Sequence, residues 1–372
     1  MTRARELANL GNNTTDLGAI NAVYDAGGLT GRNLIINGAM TVAQRGTSGT
    51  MTGDNQYISL DRWGSRTYGG TGRFSVAQNT TVPSGQTFTN SLKATVTTTA
   101  TSGTYGYAIK QFLEGYTVNQ LRTGTSDALK STLSFWARSS VAGTYCCSVR
   151  GTAGAASYVF EYTLAADTWT KIEHTIAEPT TTTPSWDRTN AADYLLEWSL
   201  GGQTSKQTAT TESWHDGNYT STLNQTDWIA TSGATFYLTG VQLEVGSIAT
   251  PFEHKPYVQD VTECLRYFNR YRKTNSYGEF VTIRTYSATQ GTGIHQFPTP
   301  MRAAPSLSID KTVNTTYFAY NLNAISITGT DGNNTSCGFH ATSASNAFVT
   351  GGGAVIQSNG VQDISFNLDA EL

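Results

Sequence analysis

The sequence predicts an all-β protein: a jelly-roll or β-sandwich body, one connecting α-helix and a smaller C-terminal β-sandwich. Three observations predict it. Charged residues make up only 14% of the chain, against about a quarter in an average globular protein. Thr, Tyr (19), Phe (14) and Trp (7) fill the gap together with turn-forming Asn and Gly (37), a strand-and-turn composition too aromatic for a disordered chain. Finally, apolar residues alternate with a period of two almost everywhere, and a helical period occurs convincingly only once.

The length of 372 residues allows two or three domains at ~150 residues each. A net charge of -3 lacks the basic footprint of a nucleic-acid binder. No window approaches the ~20 apolar residues of a membrane span, and Met1, Thr2, Arg3, Ala4, Arg5, Glu6 precede no apolar signal core. The product is therefore expected to be made in the cytoplasm, with no membrane insertion.

In residues 1–31, Glu6, Leu7, Ala8, Asn9 and Leu10 suit one or two helical turns ending at Gly11, and the Asn, Thr, Asp, Gly run after them buries little, so the segment is expected to order only against another protein. In the body, residues 32–256, the alternating runs are Leu133, Phe135, Ala137; Tyr158, Phe160, Tyr162, Leu164; Ile172, His174, Ile176; and Tyr194, Leu196, Trp198, Leu200. Gly, Ser and Thr clusters separate them at hairpin distances, the pattern of a sandwich or jelly roll. In the last run Phe236 and Leu238 fall out of phase with Val241, Leu243 and Val245, which predicts a β-bulge at Gly240. All seven tryptophans lie between Trp63 and Trp228, so the C-terminal part reads as a separate unit. Val258, Val261, Leu265 and Phe268 recur at steps of three and four, predicting a connector helix over 257–273. Beyond it, 274–372 resumes alternation at Val281, Ile283; Leu307, Ile309; Ile325, Ile327; and Ile364, Phe366, Leu368. Asp331, Gly332 is a hairpin signal.

Cysteine and histidine carry no site. Cys146 and Cys147 are strand neighbours facing opposite ways, and Cys264 and Cys337 complete no C-x-x-C spacing, so all four read as small buried apolar groups. His174 is in phase with Ile172 and Ile176 and reads as a half-buried, hydrogen-bonded residue.

Several runs resemble a known family. Asn33 to Met40, then Gln44, Arg45, Gly46, then Asp61, Arg62, Trp63 resemble the opening of the carbohydrate-binding-module-like domain of bacteriophage tail fibre proteins, common among phages of aquatic bacteria, cyanophages included. Leu238 to Gly246 followed by Thr250, Pro251, Phe252, Glu253 resembles its close. Cys264 to Phe268 looks like the family's helix, and Phe297, Pro298, Pro300, Met301, Arg302, Pro305 with the terminal Asp369, Ala370, Glu371, Leu372 are similar to the ends of fibre-like virion proteins. The resemblance implies a homotrimeric virion protein whose residues 1–31 dock on the phage tail or an adaptor and whose body engages a host-surface glycan or protein. It also makes a calcium ion conceivable, with Asn37 and Glu244 as candidate oxygen donors; no other cofactor is expected. Read without the family, Asp61, Arg62, Trp63 suits a buried charge pair beside an aromatic plug, and Met301, Arg302 suits a strand start pinned by proline.

A glycan site needs an aromatic platform and hydrogen-bonding side chains. The candidates are Trp186, Asp187, Arg188; Trp214, His215, Asp216, Tyr219; and, in the C-terminal unit, Tyr317, Phe318, Tyr320. Trp136, opposite in parity to Phe135, is a further platform. For each Trp, core or trimer interface is the competing reading, with Trp186 and Trp214 the best exceptions because their neighbours are loop-like. Catalysis on glycans would need two carboxylates across a groove, such as Asp187 with Glu197 or Glu212 with Asp216, but no spacing forces either pair together and no β-helix period is present. The chain is expected to be no enzyme. A tail adaptor or head decoration without a ligand is the other structural reading.

Overall fold

The computed structural model describes residues 31–101, 103, 105–151, 156–180, 186–273, 279–311, 325–330, 333–343, 348–357 and 364–371. Its contacts divide the chain into two units, with the boundary between Tyr257 and Val258.

In the first unit the described strands are β1 (Ser48–Thr50), β2 (Gly64–Thr67), β3 (Arg73–Asn79), β4 (Ser91–Thr98), β5 (Tyr107–Glu114), β6 (Ser131–Ser139), β7 (Gly143–Gly151), β8 (Ala156–Leu164), β9 (Thr170–Ile176), β10 (Ala192–Gly201), β11 (Trp214–Asp216) and β12 (Thr235–Val245), with a single helical turn, α1 (Gly115–Val118), after β5. They form two six-stranded antiparallel sheets, ordered β1-β3-β4-β12-β6-β9 and β11-β8-β7-β10-β5-β2, the expected jelly-roll-type sandwich. The alternation explains the core. Leu133, Phe135 and Ala137 from one sheet meet Tyr158, Phe160, Leu196 and Trp198 from the other, each strand burying one face as period two requires. Trp198 lies 5.4 Å from Trp63 and edge-on to Phe135 at 5.7 Å. His174 is half-buried as expected: it stacks on Phe160 at 4.0 Å and meets the Tyr158 hydroxyl at 3.1 Å. Burial lowers its pKa.

The bulge is where the sequence puts it. Pairing of β12 with β6 shifts register between Thr239 and Gln242, and Gly240 has φ +60°. The Phe88 ring fills the place of a side chain there, 2.4 Å from where a Cβ would stand. Gly38 packs onto the same bulge: its carbonyl accepts from Val241 N–H at 3.0 Å, and a Cβ at Gly38 would meet the Val241 oxygen at 2.2 Å.

The opening and closing motifs are one structural clasp. The Asn33 carboxamide bonds the backbone of Ile35, Val241 and Leu243, and the Glu253 carboxylate takes the N–H groups of Gly31 and Asn33. Trp63 donates its indole N–H to Asn37 O at 3.0 Å. Asp61, Arg62 and Trp63 are all buried, as expected. Asp61 faces Arg45 at 3.7 Å and takes hydrogen bonds from Gln44, whereas Arg62 donates to the Phe112 carbonyl.

The calcium candidates are used by the fold. Asn37 Oδ1 accepts from Thr41 and Val42 N–H, and its Nδ2 donates to the Val42 and Asp61 carbonyls. Glu244 binds Thr250 through N–H and hydroxyl, and Gln242 through its amide. Among the described residues no three His, Cys, Asp or Glu side chains gather as a metal site.

In the second unit the helix is shorter than its periodicity implies. α2 spans Tyr257–Leu265, and the Tyr267 N–H bonded to Cys264 O closes it. Phe268–Lys273, expected as helix, is instead strand β13, held in register by the C-terminal strand from Phe268 opposite Asp369 to Lys273 opposite Ile364. A three-residue step from Leu265 to Phe268 fits a helix locally, and long-range pairing overrides it. The stripe is also not the buried face: Val258 is exposed while Asp260 and Cys264 are buried.

The remaining strands are β14 (Glu279–Thr285), β15 (Gln290–Gln296), β16 (Ser306–Lys311), β17 (Ile325–Thr330), β18 (Ser336–Ser343), β19 (Gly353–Gln357) and β20 (Ile364–Asp369). They give a three-stranded sheet, β13-β20-β16, and a five-stranded one, β17-β18-β15-β14-β19. Phe339 meets Phe366 edge-on at 5.3 Å over a core that includes Ile283, Met301 and Leu368. The two C-terminal motifs meet here, because Arg302 donates from Nε to the Ala370 carbonyl at 2.8 Å. β17 and β18 pair antiparallel, from Ile325 opposite Ser343 to Thr330 opposite Gly338; Asp331 and Gly332, the expected hairpin turn, lie outside the described residues.

Candidate functional site

The second sheet of the first unit has one face in the core and one facing away. Alternation along its strands puts Glu161, Cys146, Glu197 and Lys110 on the outer face, opposite the core residues Phe160, Cys147, Trp198 and Ile109. This face is covered: Glu197 is 0% exposed and Lys110 3%. The cover is the stretch between β10 and β12. Within it Thr208 N–H bonds Ser221 O, and Thr220 N–H bonds Lys206 O. Gln225 fixes it to the sheet by accepting from Cys146 N–H at 2.8 Å and donating to Ser199 O.

Where this cover meets β8 it leaves a cavity of about 320 Å³ lined by Glu161, Thr208, Thr211, Thr222, Leu223 and Asn224. Glu161 is half-buried and accepts hydrogen bonds from the Thr222 hydroxyl and, at 3.1 Å, the Asn224 amide. Leu223 is 78% exposed at its edge. The lining thus offers one carboxylate, three hydroxyls, one carboxamide and one apolar surface. Its volume lies at the lower end of the ~300–1,000 Å³ of small-molecule sites.

Further along the same face Glu197 is the centre of a charge network. Arg66 donates to Oε1 at 3.0 Å, Arg150 donates to Oε2, and the Tyr68 hydroxyl lies 3.1 and 3.0 Å from the two oxygens. Burial alone would raise the Glu197 pKa; Arg150, then Arg66 and Lys110, outweigh it and hold the carboxyl below its usual range. Burial, then the Glu197 charge, raises the Tyr68 hydroxyl.

The sequence-predicted residues gather elsewhere. Trp186 and Trp214 do come together, edge to face at 5.7 Å, and both pack against Tyr194. They are half-buried at the margin of the core, with the Trp214 indole N–H bonded to Ala177 O, so they form a packed aromatic cluster and no flat open platform. Asp187 accepts from the Thr189 N–H and hydroxyl, while exposed Arg188 reaches Thr123 O at 3.2 Å. Beside them Asp193, 3% exposed, accepts the Asp187 N–H at 2.8 Å, and burial pushes its pKa up to about 7. Asp216 is exposed at the end of β11, and Tyr219 stacks on His215 at 5.0 Å. Trp136 is half-buried on the outer face of the first sheet. Tyr317, Phe318 and Tyr320 lie outside the described residues. Of the carboxylate pairs imagined for catalysis, Asp187 with Glu197 is closed to substrate because Glu197 is fully buried; Glu212 and Asp216 are both exposed.

Sequence reasoning passed over Glu161, Thr208, Thr211, Thr222, Leu223 and Asn224. Their signal was present but weak: a lone carboxylate in the outward phase of an aromatic strand, and a run of neutral hydrogen-bonding residues that alternates with nothing.

The chain matches no protein-family model and no curated protein sequence. Among solved structures it is similar to the family 11 carbohydrate-binding module of the cellulosomal cellulase Lic26A-Cel5E of Clostridium thermocellum, at 12% identity and TM-score 0.29, over 54% of this chain and 97% of that one. It is similar to the CBM22-1 xylan-binding domain of Paenibacillus barcinonensis Xyn10C at 10% identity and TM-score 0.26, over 50% and 87%. The enzymatically active domain of tailspike protein 4 of bacteriophage CBA120 aligns at 12% identity and TM-score 0.29, over 57% of this chain but only 21% of that chain. Likeness at this level does not say what this chain binds.

Proposed function

We propose that the chain binds glycan without cleaving it, through the cavity between β8 and the segment that covers the second sheet. The observation that carries this reading is the lining: neutral hydroxyls and a carboxamide beside an exposed leucine match the alternating polar and apolar surface of a sugar, and Glu161 is the single carboxylate among them. Hydrolysis with two carboxylates has no second partner there.

In its finer form the reading is a bacteriophage tail fibre component located on the virion, a homotrimer docked through residues 1–31 on the tail or an adaptor, with a host-surface glycan as its receptor. The opening and closing sequence motifs support it. Light scattering of the purified chain is expected to give three times its 40.0 kDa mass; a stable monomer at micromolar concentration contradicts the fibre form.

Calorimetric titration against a panel of cell-envelope oligosaccharides tests the site. Leu223→Ser and Thr211→Val are each expected to weaken the best ligand by ~5–30-fold, the worth of one lost contact of ~1–2 kcal/mol, with melting temperature unchanged because both side chains are at the surface. No reducing ends should accumulate. If both variants bind like the wild type, the cavity is not the site.

A further inference from the structure

The chain enters and leaves the jelly-roll body at one place. Gly31 and Glu253 are 222 positions apart, yet the Glu253 carboxylate accepts the Gly31 N–H at 2.6 Å and the Asn33 N–H at 2.8 Å. Arg32 donates to the Pro251 carbonyl at 2.6 Å and faces Glu244 at 3.7 Å, and Lys255 donates to the Ile35 carbonyl at 3.4 Å. Gln242 on β12 ties the returning segment down, accepting the Glu253 N–H at 2.8 Å and donating to the Thr250 hydroxyl at 3.2 Å.

The direction of these contacts has a mechanical meaning. They advance together along both segments, Arg32 with Pro251, Asn33 with Glu253 and Ile35 with Lys255. Opposite pulls at the two ends therefore load them at the same time. Behind them lies β12, an interior strand held between β4 and β6. The C-terminal unit is built the other way. Its first strand, β13, and its last, β20, pair antiparallel with Phe268 opposite Asp369 and Lys273 opposite Ile364. Pulls at the two ends of that unit thus meet at one end of the ladder and open it one pair at a time.

We propose that the clasp is a tension joint: force passing along the chain crosses directly from residues 31–35 to residues 251–255, so the jelly roll and its cavity hang beside the path of the force and stay folded under it. The proposal rests on the fibre reading above for the origin of the force. A carboxylate that takes two N–H groups suits the task, because bonds to a charged acceptor are about twice as strong as neutral ones.

Optical tweezers on the full chain, held by handles at its two ends, test this. As tension rises the C-terminal unit is expected to yield first, in the shorter step. The body should yield later, in one step of about 75 nm for the 222 positions that the clasp closes. At fixed force Glu253→Ala should raise the rate of the body's step by ~10-fold or more, since two charge-assisted bonds are lost, and leave the step of the C-terminal unit unchanged. Unfolding of the same variant in urea, where nothing pulls on the ends, should quicken by less. A body that yields before the C-terminal unit, a step whose rate Glu253→Ala leaves untouched, or an equal rise in urea overturns the inference. Light scattering separates it from the reading on which it rests: a monomer overturns both, whereas a trimer whose body yields first overturns the joint alone.

Discussion

Glu197→Ala is expected to destabilise the first unit by ~3–5 kcal/mol in urea titration, the cost of breaking a buried ion pair from one side. The carboxylate is 0% exposed and takes hydrogen bonds from two arginines and a tyrosine, so its removal strands Arg150 in a place water does not reach. Glu197→Gln should cost less, since an amide keeps one oxygen to accept. The pH dependence has a definite sign. The folded-state pKa of Glu197 lies below its ordinary value of 4.5, so the unfolded chain takes up the proton first. The stability this residue contributes is complete above that value and is lost as pH falls through the folded pKa. The acid limb of the wild-type stability profile should therefore be flattened in Glu197→Gln. A loss below ~1 kcal/mol for Glu197→Ala would mean that the arginines relax into solvent, against the burial described here.

Asn37→Ala is expected to cost ~2–4 kcal/mol, because one side chain satisfies two N–H groups and two carbonyls of a segment that is otherwise irregular. The backbone adds to this: Asn37 has φ +58°, a conformation asparagine tolerates better than alanine. Its neighbours compound the effect, since Trp63 hangs from the Asn37 carbonyl and Gly38 is pressed against the bulge of β12. Thermal unfolding with and without excess EDTA separates this from a cation role. The wild type should melt at the same temperature in both, and the variant lower in both. A chelator-induced drop in the wild type that is absent from Asn37→Ala would contradict the assignment.

These two residues show what was legible in the sequence. Alternation revealed the sheets because each strand of a sandwich buries one face, so Leu133, Phe135 and Ala137 were readable as core without a structure. The phase slip before Val241 revealed the bulge for the same reason. Asn37 and Glu244 were conspicuous as possible ligands, yet which partners a carboxamide or carboxylate finds is set by chain reversals that periodicity does not encode. The segment from Phe268 to Lys273 was misread as helix because three- and four-residue steps also occur by chance in a strand whose partner lies almost a hundred residues away. Tryptophans invite a platform reading from sequence, but Trp186 and Trp214 are packed against each other and Tyr194. The cavity beside Glu161 was hidden because its lining comes from β8 and from an irregular stretch some fifty residues on.

Hydrogen–deuterium exchange on the full chain, with and without the tightest oligosaccharide from the envelope panel, tests the central claim most directly. The account predicts ligand-dependent protection in the amides of residues 206–211 and 220–224, with residues 186–189 unchanged. Protection confined to the Trp186 and Trp214 segments, or none in the cover of the second sheet at saturating ligand, would contradict it.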